Sequence, residues 1–223
     1  MKKEVNQELN YSEIDSKNNN ICFYSFIKRL FDIVFGLLGT IIFIPIYICV
    51  KIAYVCTGDF HPVVFRQARI GKNGKTIRMF KFRSMVPNAD EILKEILEKD
   101  PKMAKEYKEN KKLKNDPRIT KVGAFIRKAS IDETPQFLNV LFGSMSLIGP
   151  RPYLHREIED MGMYYDDIIT VKPGITGYWQ VNGRSDSSFA NRLKFDLHYI
   201  EHHSLKTDCQ IFLKTFKAIL KGI

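Results

Sequence analysis

The spacing of apolar positions changes several times along the 223 residues of this chain, and each change marks a boundary. The opening MKKEVNQELNYSEIDSKNNN is polar and Asn-rich with no sustained apolar period, which predicts a flexible tail over residues 1–25. An unbroken apolar run follows from Ile33 to Val50, IVFGLLGTIIFIPIYICV, with Lys28, Arg29 and Asp32 before it and Lys51 after it. The run comes late and no small-residue cleavage pattern follows, so it is expected to stay in the mature protein rather than act as a leader. It lies at the lower limit for crossing a bilayer, which takes about 20 apolar residues. A helix apolar on all sides is unusual as the core of so small a domain, which leaves two membrane readings. Pro45 would break the helix, and basic residues at both ends give little orienting bias; both features favour a re-entrant helix over residues 26–57. Membrane helices also tolerate proline as an ordinary kink, so the residues alone leave spanning and re-entry open.

From Val63 to Met85 apolar and polar residues alternate around Gly71-Lys72-Asn73-Gly74, the pattern of two short strands joined by a turn. This hairpin carries Arg66, Arg69, Lys72, Lys75, Arg78, Lys81 and Arg83. Lys81 and Arg83 are two apart and share a face, which makes them candidates for phosphate binding. A basic surface facing solvent or headgroups accounts for the others. Residues 89–113 read as charged helix, with Ile92, Leu93, Ile96 and Leu97 at helical spacing and Pro101 ending the first part. The Lys-rich stretch 99–114 is expected to face solvent or an anionic leaflet, without a catalytic role. At the far end Leu205, Ile211, Phe212, Phe216, Ile219 and Leu220 are interleaved with Lys206, Lys214, Lys217 and Lys221. That is an amphipathic helix, which either packs on the core or lies on a membrane.

The length allows one domain with a real core. An excess of 35 Lys+Arg over 25 Asp+Glu calls for an anionic partner, whether nucleic acid, acidic lipid headgroups or a phosphorylated small molecule. A membrane-anchored protein that holds nucleic acid or acidic lipid without catalysis is the alternative to an enzyme. It rests on charge alone, since no recognition helix, zinc-finger spacing or RNA-binding aromatic motif is present. Cys22, Cys49, Cys56 and Cys209 form no C-x-x-C pair, which argues for a reducing, cytosol-facing chain. His198 and His202 are four apart, but the sequence offers no evident third ligand for zinc.

The chemistry concentrates in SIDETPQFLN, residues 130–139. A capping box with Ser130 as N-cap and Glu133 at N3 would leave Pro135 where a helical N–H is needed. With Thr134 as N-cap, Pro135 falls at N1, where it is preorganised, and Asp132 and Glu133 stand just outside a helix N-terminus. The helix dipole favours anions there, and a carboxylate kept ionised beside a bound phosphate is placed to attack phosphorus. Bringing two anions together needs cations. Arg127, Arg118 in NDPRIT and Arg151, set between Pro150 and Pro152, are the candidates, because a guanidinium meets phosphate oxygens in pairs. A substrate with two phosphates would also call for Mg²⁺ at Asp132 or Glu133.

The segments KRLFD (28–32), VVFRQARIG, KFRSM, NDPRITKVGAFIRKASIDETPQFLNVLFGSMSLIGPRP and KPGITGYWQVNGRS (172–185) carry a resemblance over roughly residues 26–222. The chain resembles the bacterial sugar transferases, the monotopic polyprenyl-phosphate sugar-1-phosphate transferases in their short single-domain form. The resemblance implies an α+β, mainly helical, monotopic membrane protein: a re-entrant helix, a β-hairpin, and a helical catalytic domain over residues 58–223 at the cytoplasmic face of the bacterial inner membrane. It implies transfer of a sugar phosphate from a UDP-sugar to polyprenyl phosphate with release of UMP, the first membrane step in assembling a surface polysaccharide or glycoconjugate. Asp132 would be the nucleophile that forms a phosphosugar-enzyme intermediate and Glu133 its acidic partner, with Mg²⁺ at the pair and Arg127 and Arg151 near the phosphates. Lys81 and Arg83 would belong to the same basic pocket. GYWQVNGR would be a mobile loop over the nucleotide, which makes Gln180, Asn182 and Arg184 binding candidates and Trp179 a packing residue. Lys28, Arg29, Asp32 and Pro45 would anchor the re-entrant helix, although Ile44-Pro45 stands where some members have Ser-Pro. The expected partners are a UDP-sugar, polyprenyl phosphate and anionic membrane lipids, and not nucleic acid; a homodimer is left open, as is the choice between a hexose and an N-acetylhexosamine.

Overall fold

The computed structural model describes residues 2–183 and 188–220, with side chains over 22–183 and 188–218. Its longest element is helix α1, Lys2–Cys56. No Gly or Pro precedes Gly36, so nothing in the sequence forces a break between the polar opening, where a flexible tail was expected, and the apolar run. The backbone also stays helical through Pro45.

The apolar part of α1 is not uniform around its axis. Tyr24, Lys28, Asp32, Gly36, Gly39, Phe43, Val50 and Tyr54 form one stripe at helical steps, and that stripe packs on the rest of the protein. Lys28 pairs with Asp208 at 2.6 Å, and Arg29 donates to the carbonyls of Val140 and Leu141. Asp32 accepts from the Ser146 hydroxyl at 3.0 Å and the Leu147 amide at 2.7 Å. A Cβ added at Gly39 would lie 2.2 Å from the Phe137 ring, so only glycine allows this approach. Phe43 stacks obliquely on Phe82, Val50 and Tyr54 join Val63, Phe82 and Ile126 in one core cluster, and the Tyr54 hydroxyl donates to the Arg83 carbonyl. From Lys28 to Tyr54 the helix covers about 39 Å at 1.5 Å per residue, with the protein beneath it throughout. The opposite face exposes Leu30, Val34, Leu37, Leu38, Ile41, Ile48 and Ile52.

Strands β1 (Val64–Ile70) and β2 (Thr76–Phe82) form the hairpin that the alternation predicts, with Val64 opposite Phe82 and Ile70 opposite Thr76. Helices α2 (Ala89–Lys99) and α3 (Pro101–Asn110) are separated at Pro101, which occupies N1 while the Asp100 carboxylate accepts from the amides of Lys102 and Met103. Next come α4 (Lys121–Lys128), started by the Thr120 side chain on the Gly123 amide, and α5 (Gln136–Leu141). Strand β3 (Ser146–Ile148) lies parallel to β4 (Gly174–Thr176), with α6 (Ile158–Met161) and α7 (Tyr165–Ile168) between them in sequence. Helices α8 (Tyr178–Asn182), α9 (Phe189–His202) and α10 (Leu205–Leu220) finish the described chain. The result is mainly helical α+β, as expected. Helix α10 packs on the core through Asp208 and Ile211, which are buried, while Leu213 and Phe216 are exposed. The four cysteines are free thiols.

Candidate active site

The bend between α4 and α5 carries the paired carboxylates. Ser130 has a φ of 55°, and Ile131–Glu133 form a single 3-10 turn. Thr134 and Pro135 both have helical dihedrals, so Thr134 is not the N-cap expected from the sequence. Its hydroxyl donates back to the Ile131 carbonyl at 2.8 Å. Asp132 and Glu133 therefore sit inside the turn rather than in front of a helix, because a proline near −61° extends a 3-10 turn as readily as it starts a helix.

Lys81 reaches this turn from β2, with its Nζ 2.8 Å from Asp132 Oδ2 and 3.5 Å from Glu133 Oε1. The Asp132 side chain is 9% exposed and that of Glu133 40%. Lys81 is thus the counter-charge of a buried carboxylate, while its neighbour stays open. Adjacent hard oxygens, one set partly free, suit Mg²⁺, which takes one or two carboxylates and completes its shell with water and phosphate.

Lys81 also lines a cleft of about 440 Å³. Its wall is basic, with Arg69, Lys81, Arg83, Lys111, Lys112, Arg118, Arg127, Arg151 and Arg156 set against Asp90, Glu91, Asp116 and Glu157. These cations differ in what already holds them. Arg83 makes two 2.9 Å hydrogen bonds to Asp59 and lies 4.5 Å from the centre of the Tyr54 ring; its hydrogen bonds hold the Asp59 carboxyl down at about 2. Arg118 is clamped by Asp116 at 2.8 and 2.6 Å. Both had been expected to take phosphate, yet each already has a carboxylate and serves first to build the wall. Arg127 is exposed, and its guanidinium has no ion pair or hydrogen bond among the described residues.

Arg151 is set rigidly. The Gly174 amide donates to the Pro150 carbonyl at 2.8 Å, Arg69 donates to the Pro152 carbonyl at 2.9 Å, and the Arg151 amide donates to Asp196 Oδ2 at 3.2 Å. Asp196 is fully buried, and burial pushes its carboxyl up to about 7 against the pull of the Tyr153 hydroxyl and the Arg151 amide. The Arg151 guanidinium lies 5.9 Å from the centre of the Trp179 ring, and that of Arg192 lies 5.5 Å from it. Trp179, expected as a packing residue, is a platform for two cations.

Gln180 donates to the Ile175 carbonyl, and Asn182 accepts from Lys214 at 2.9 Å; neither lines the cleft. Arg184 lies outside the described residues. Sequence reasoning missed Arg69, Lys111, Lys112 and Arg156. Lys111 has a left-handed φ of 54° that ends α3 and turns its ammonium onto Asp160 at 2.7 Å, a reversal that a run of lysines does not announce. The sequence also gave no third partner for His198 and His202. Glu201 is one, with ligand atoms of all three within 4.8 Å on the exposed face of α9, outside the cleft wall.

The domain thus joins an apolar outer face on one helix to a basic cleft beside a buried carboxylate. The chain belongs to the bacterial sugar transferase family, whose model matches residues 23–222. It is 46% identical over 199 residues to the undecaprenyl-phosphate galactose phosphotransferase of Salmonella typhimurium, covering 88% of this chain and 41% of that protein. It is 39% identical over 192 residues to the exopolysaccharide production protein ExoY of Sinorhizobium fredii, covering 86% and 84%. It is 38% identical over 203 residues to the UDP-glucose:undecaprenyl-phosphate glucose-1-phosphate transferase of Escherichia coli, covering 87% and 40%. The chain thus spans about two fifths of the Salmonella and Escherichia relatives and most of the Sinorhizobium one.

Proposed function

We propose that this domain transfers a hexose-1-phosphate from a UDP-sugar to undecaprenyl phosphate through a covalent phosphosugar on Asp132. The relatives' names supply the substrate classes. The observation that carries the reading is the 2.8 Å contact between the buried Asp132 carboxylate and Lys81 at the wall of the basic cleft.

A carboxylate oxygen of Asp132 attacks the phosphorus that bears the sugar, and the bond from that phosphorus to the bridging oxygen breaks. UMP leaves with the electron pair. A phosphate oxygen of the lipid then attacks the same phosphorus, the acyl-phosphate bond breaks, and the carboxylate is restored. Lys81 offsets the charge at the attacking carboxylate, Arg127 and Arg151 face the phosphate oxygens as guanidinium forks, and Glu133 with Asp132 would hold Mg²⁺. That ion would neutralise the diphosphate and its leaving group.

The lipid acceptor requires this site at a bilayer surface. The exposed apolar face of α1, together with Phe125, Phe142, Leu213 and Phe216, supports insertion into one leaflet. Spanning would surround about 30 Å of the helix with lipid, whereas α1 is bonded to the same domain from Lys28 to Tyr54. This packing supports a placement with both ends of the apolar segment on one side of the membrane, proposed as the cytoplasmic side of the inner membrane, with the exposed Pro45 among its lipid-facing residues.

The test is UMP release from UDP-galactose and UDP-glucose by purified Asp132→Asn with undecaprenyl phosphate and Mg²⁺. Loss by several orders of magnitude is expected, together with a trapped sugar-phosphate adduct on the wild-type enzyme. Near-normal turnover of the variant, or kinetics that require both substrates bound at once, would end the nucleophile assignment.

A further inference from the structure

A cavity of about 860 Å³ shares no lining residue with the cleft at Lys81. Its walls come from the α1 segment around Lys28, the β1–β2 turn at Lys72, the stretch before β4 at Lys172, and the first turn of α10 at Lys206. Two of its cations are matched: Lys28 by Asp208, and Arg29 by the carbonyls at the end of α5. Asp32, the one carboxylate in the wall, is committed to Ser146 and Leu147. That leaves Lys72, Lys172 and Lys206, whose ammonium groups have no hydrogen bond or ion pair among the described residues. Lys172 is half-buried, and burial, with Arg29 and Lys72 adding like charge, pulls its ammonium below the usual lysine range; the nearby Asp32 charge, whose oxygen is already bonded to Ser146 and Leu147, offsets this only in part. A half-buried cation crowded by other cations is unfavourable unless an anion joins it.

A second cavity of about 180 Å³ adjoins the first, sharing Lys28, Asp32, Ile148 and Leu205 with it. Its remaining wall is largely apolar, with Phe31, Leu147, Phe212 and Leu213, and its one further carboxylate, Asp208, is paired with Lys28. Phe31 and Leu213 are half or more exposed and continue onto the apolar face of the protein. A free phosphate would satisfy the lysines and leave this second cavity empty. An amphiphile fills both.

We propose that the joined cavities hold one anionic membrane lipid, its phosphate among Lys72, Lys172 and Lys206 and the start of an acyl chain between Phe31, Leu147 and Phe212. This rests on the bilayer placement proposed above and is independent of the chemistry at Asp132. The site would tie the outer end of the apolar segment of α1 to the anionic component of the leaflet, where each basic side chain near the surface adds attraction.

The full chain in detergent is examined by native mass spectrometry after addition of phosphatidylglycerol, phosphatidylcholine or inorganic phosphate. One phosphatidylglycerol per chain is expected to be retained, and phosphatidylcholine is not. The Lys72→Gln/Lys172→Gln double variant should bind phosphatidylglycerol about thirtyfold more weakly while its UMP release is unchanged. Leu213→Ser should weaken the lipid and leave inorganic phosphate untouched. Equal retention of the two phospholipids, undiminished binding by the double variant, or inorganic phosphate binding with no lipid retained would each overturn the proposal. Flotation with vesicles checks the bilayer placement separately, since a chain that never floats sinks that reading whatever the lipid selectivity.

Discussion

Removing the charge of Lys81 tests how tightly the buried carboxylate depends on it. At 2.8 Å the ammonium and Asp132 Oδ2 attract by about 6 kcal/mol at an effective dielectric of about 20. Desolvation offsets much of this, and breaking a buried pair by removing one partner costs about 3–5 kcal/mol. The Lys81 side chain is 23% exposed, which allows water to solvate the orphaned carboxylate, so Lys81→Met should destabilise at the lower end, by about 3 kcal/mol. Asp132→Asn leaves Lys81 beside Glu133 at 3.5 Å and should cost less, about 1–3 kcal/mol. If the two side chains act as a pair, the double variant is more stable than the sum of the single effects predicts, by about 1–3 kcal/mol. Urea unfolding in detergent, followed by fluorescence of the single tryptophan, Trp179, reads all four proteins. UMP release should be lost in all three variants, so recovered stability without recovered turnover separates structural pairing from chemistry. Additive effects within about 0.5 kcal/mol would refute the coupling and with it the counter-charge role of Lys81.

Two further outcomes follow from other parts of the molecule. Asp196 has a folded-state carboxyl raised to about 7 from 3.8, so between about pH 4 and 7 the folded protein binds more protons than the unfolded one. Its contribution to stability is then greatest at the acid end and is lost as pH rises to about 7. The difference between wild type and Asp196→Asn in urea midpoint should fall over that window, and a difference that rises with pH would contradict the burial argument. With single cysteines at Phe26 or Phe60 in a cysteine-free background, both positions should react with a membrane-impermeant thiol reagent from the cytoplasmic side, and labelling of position 26 solely from the far side would establish a spanning helix.

The hairpin, the break at Pro101, the amphipathic α10 and the paired carboxylates were legible because each follows from local periodicity or from a single special residue. Which basic residues have free charge was not. Arg83 and Arg118 look in the sequence like Arg127, and only the positions of Asp59 and Asp116 in space show that two of the three are already paired. The capping of α5 was misread because Thr134-Pro135 fits an N-cap and a continuing 3-10 turn equally well. The hidden stripe on α1 escaped notice because Gly36, Gly39, Phe43 and Val50 count as apolar whether they face lipid or protein. Its polar members Lys28 and Asp32 lie at the edge of the run, where they read as flanking charges.

The double character of α1 bears on how this enzyme family member can be handled. An anchor that only tethers can be cut away to leave a water-soluble catalytic fragment. Here a cut at residue 57 would strip the cover from Val63, Phe82 and Ile126 and take the partners of Ser146, Leu147 and Asp208 with it. With α1 in a bilayer as proposed, detachment has to be sought instead by making outward positions such as Leu37, Ile41 and Ile48 polar while the inward stripe is left intact. On the proposed placement, affinity for lipid and integrity of the fold are written on opposite sides of the same rod.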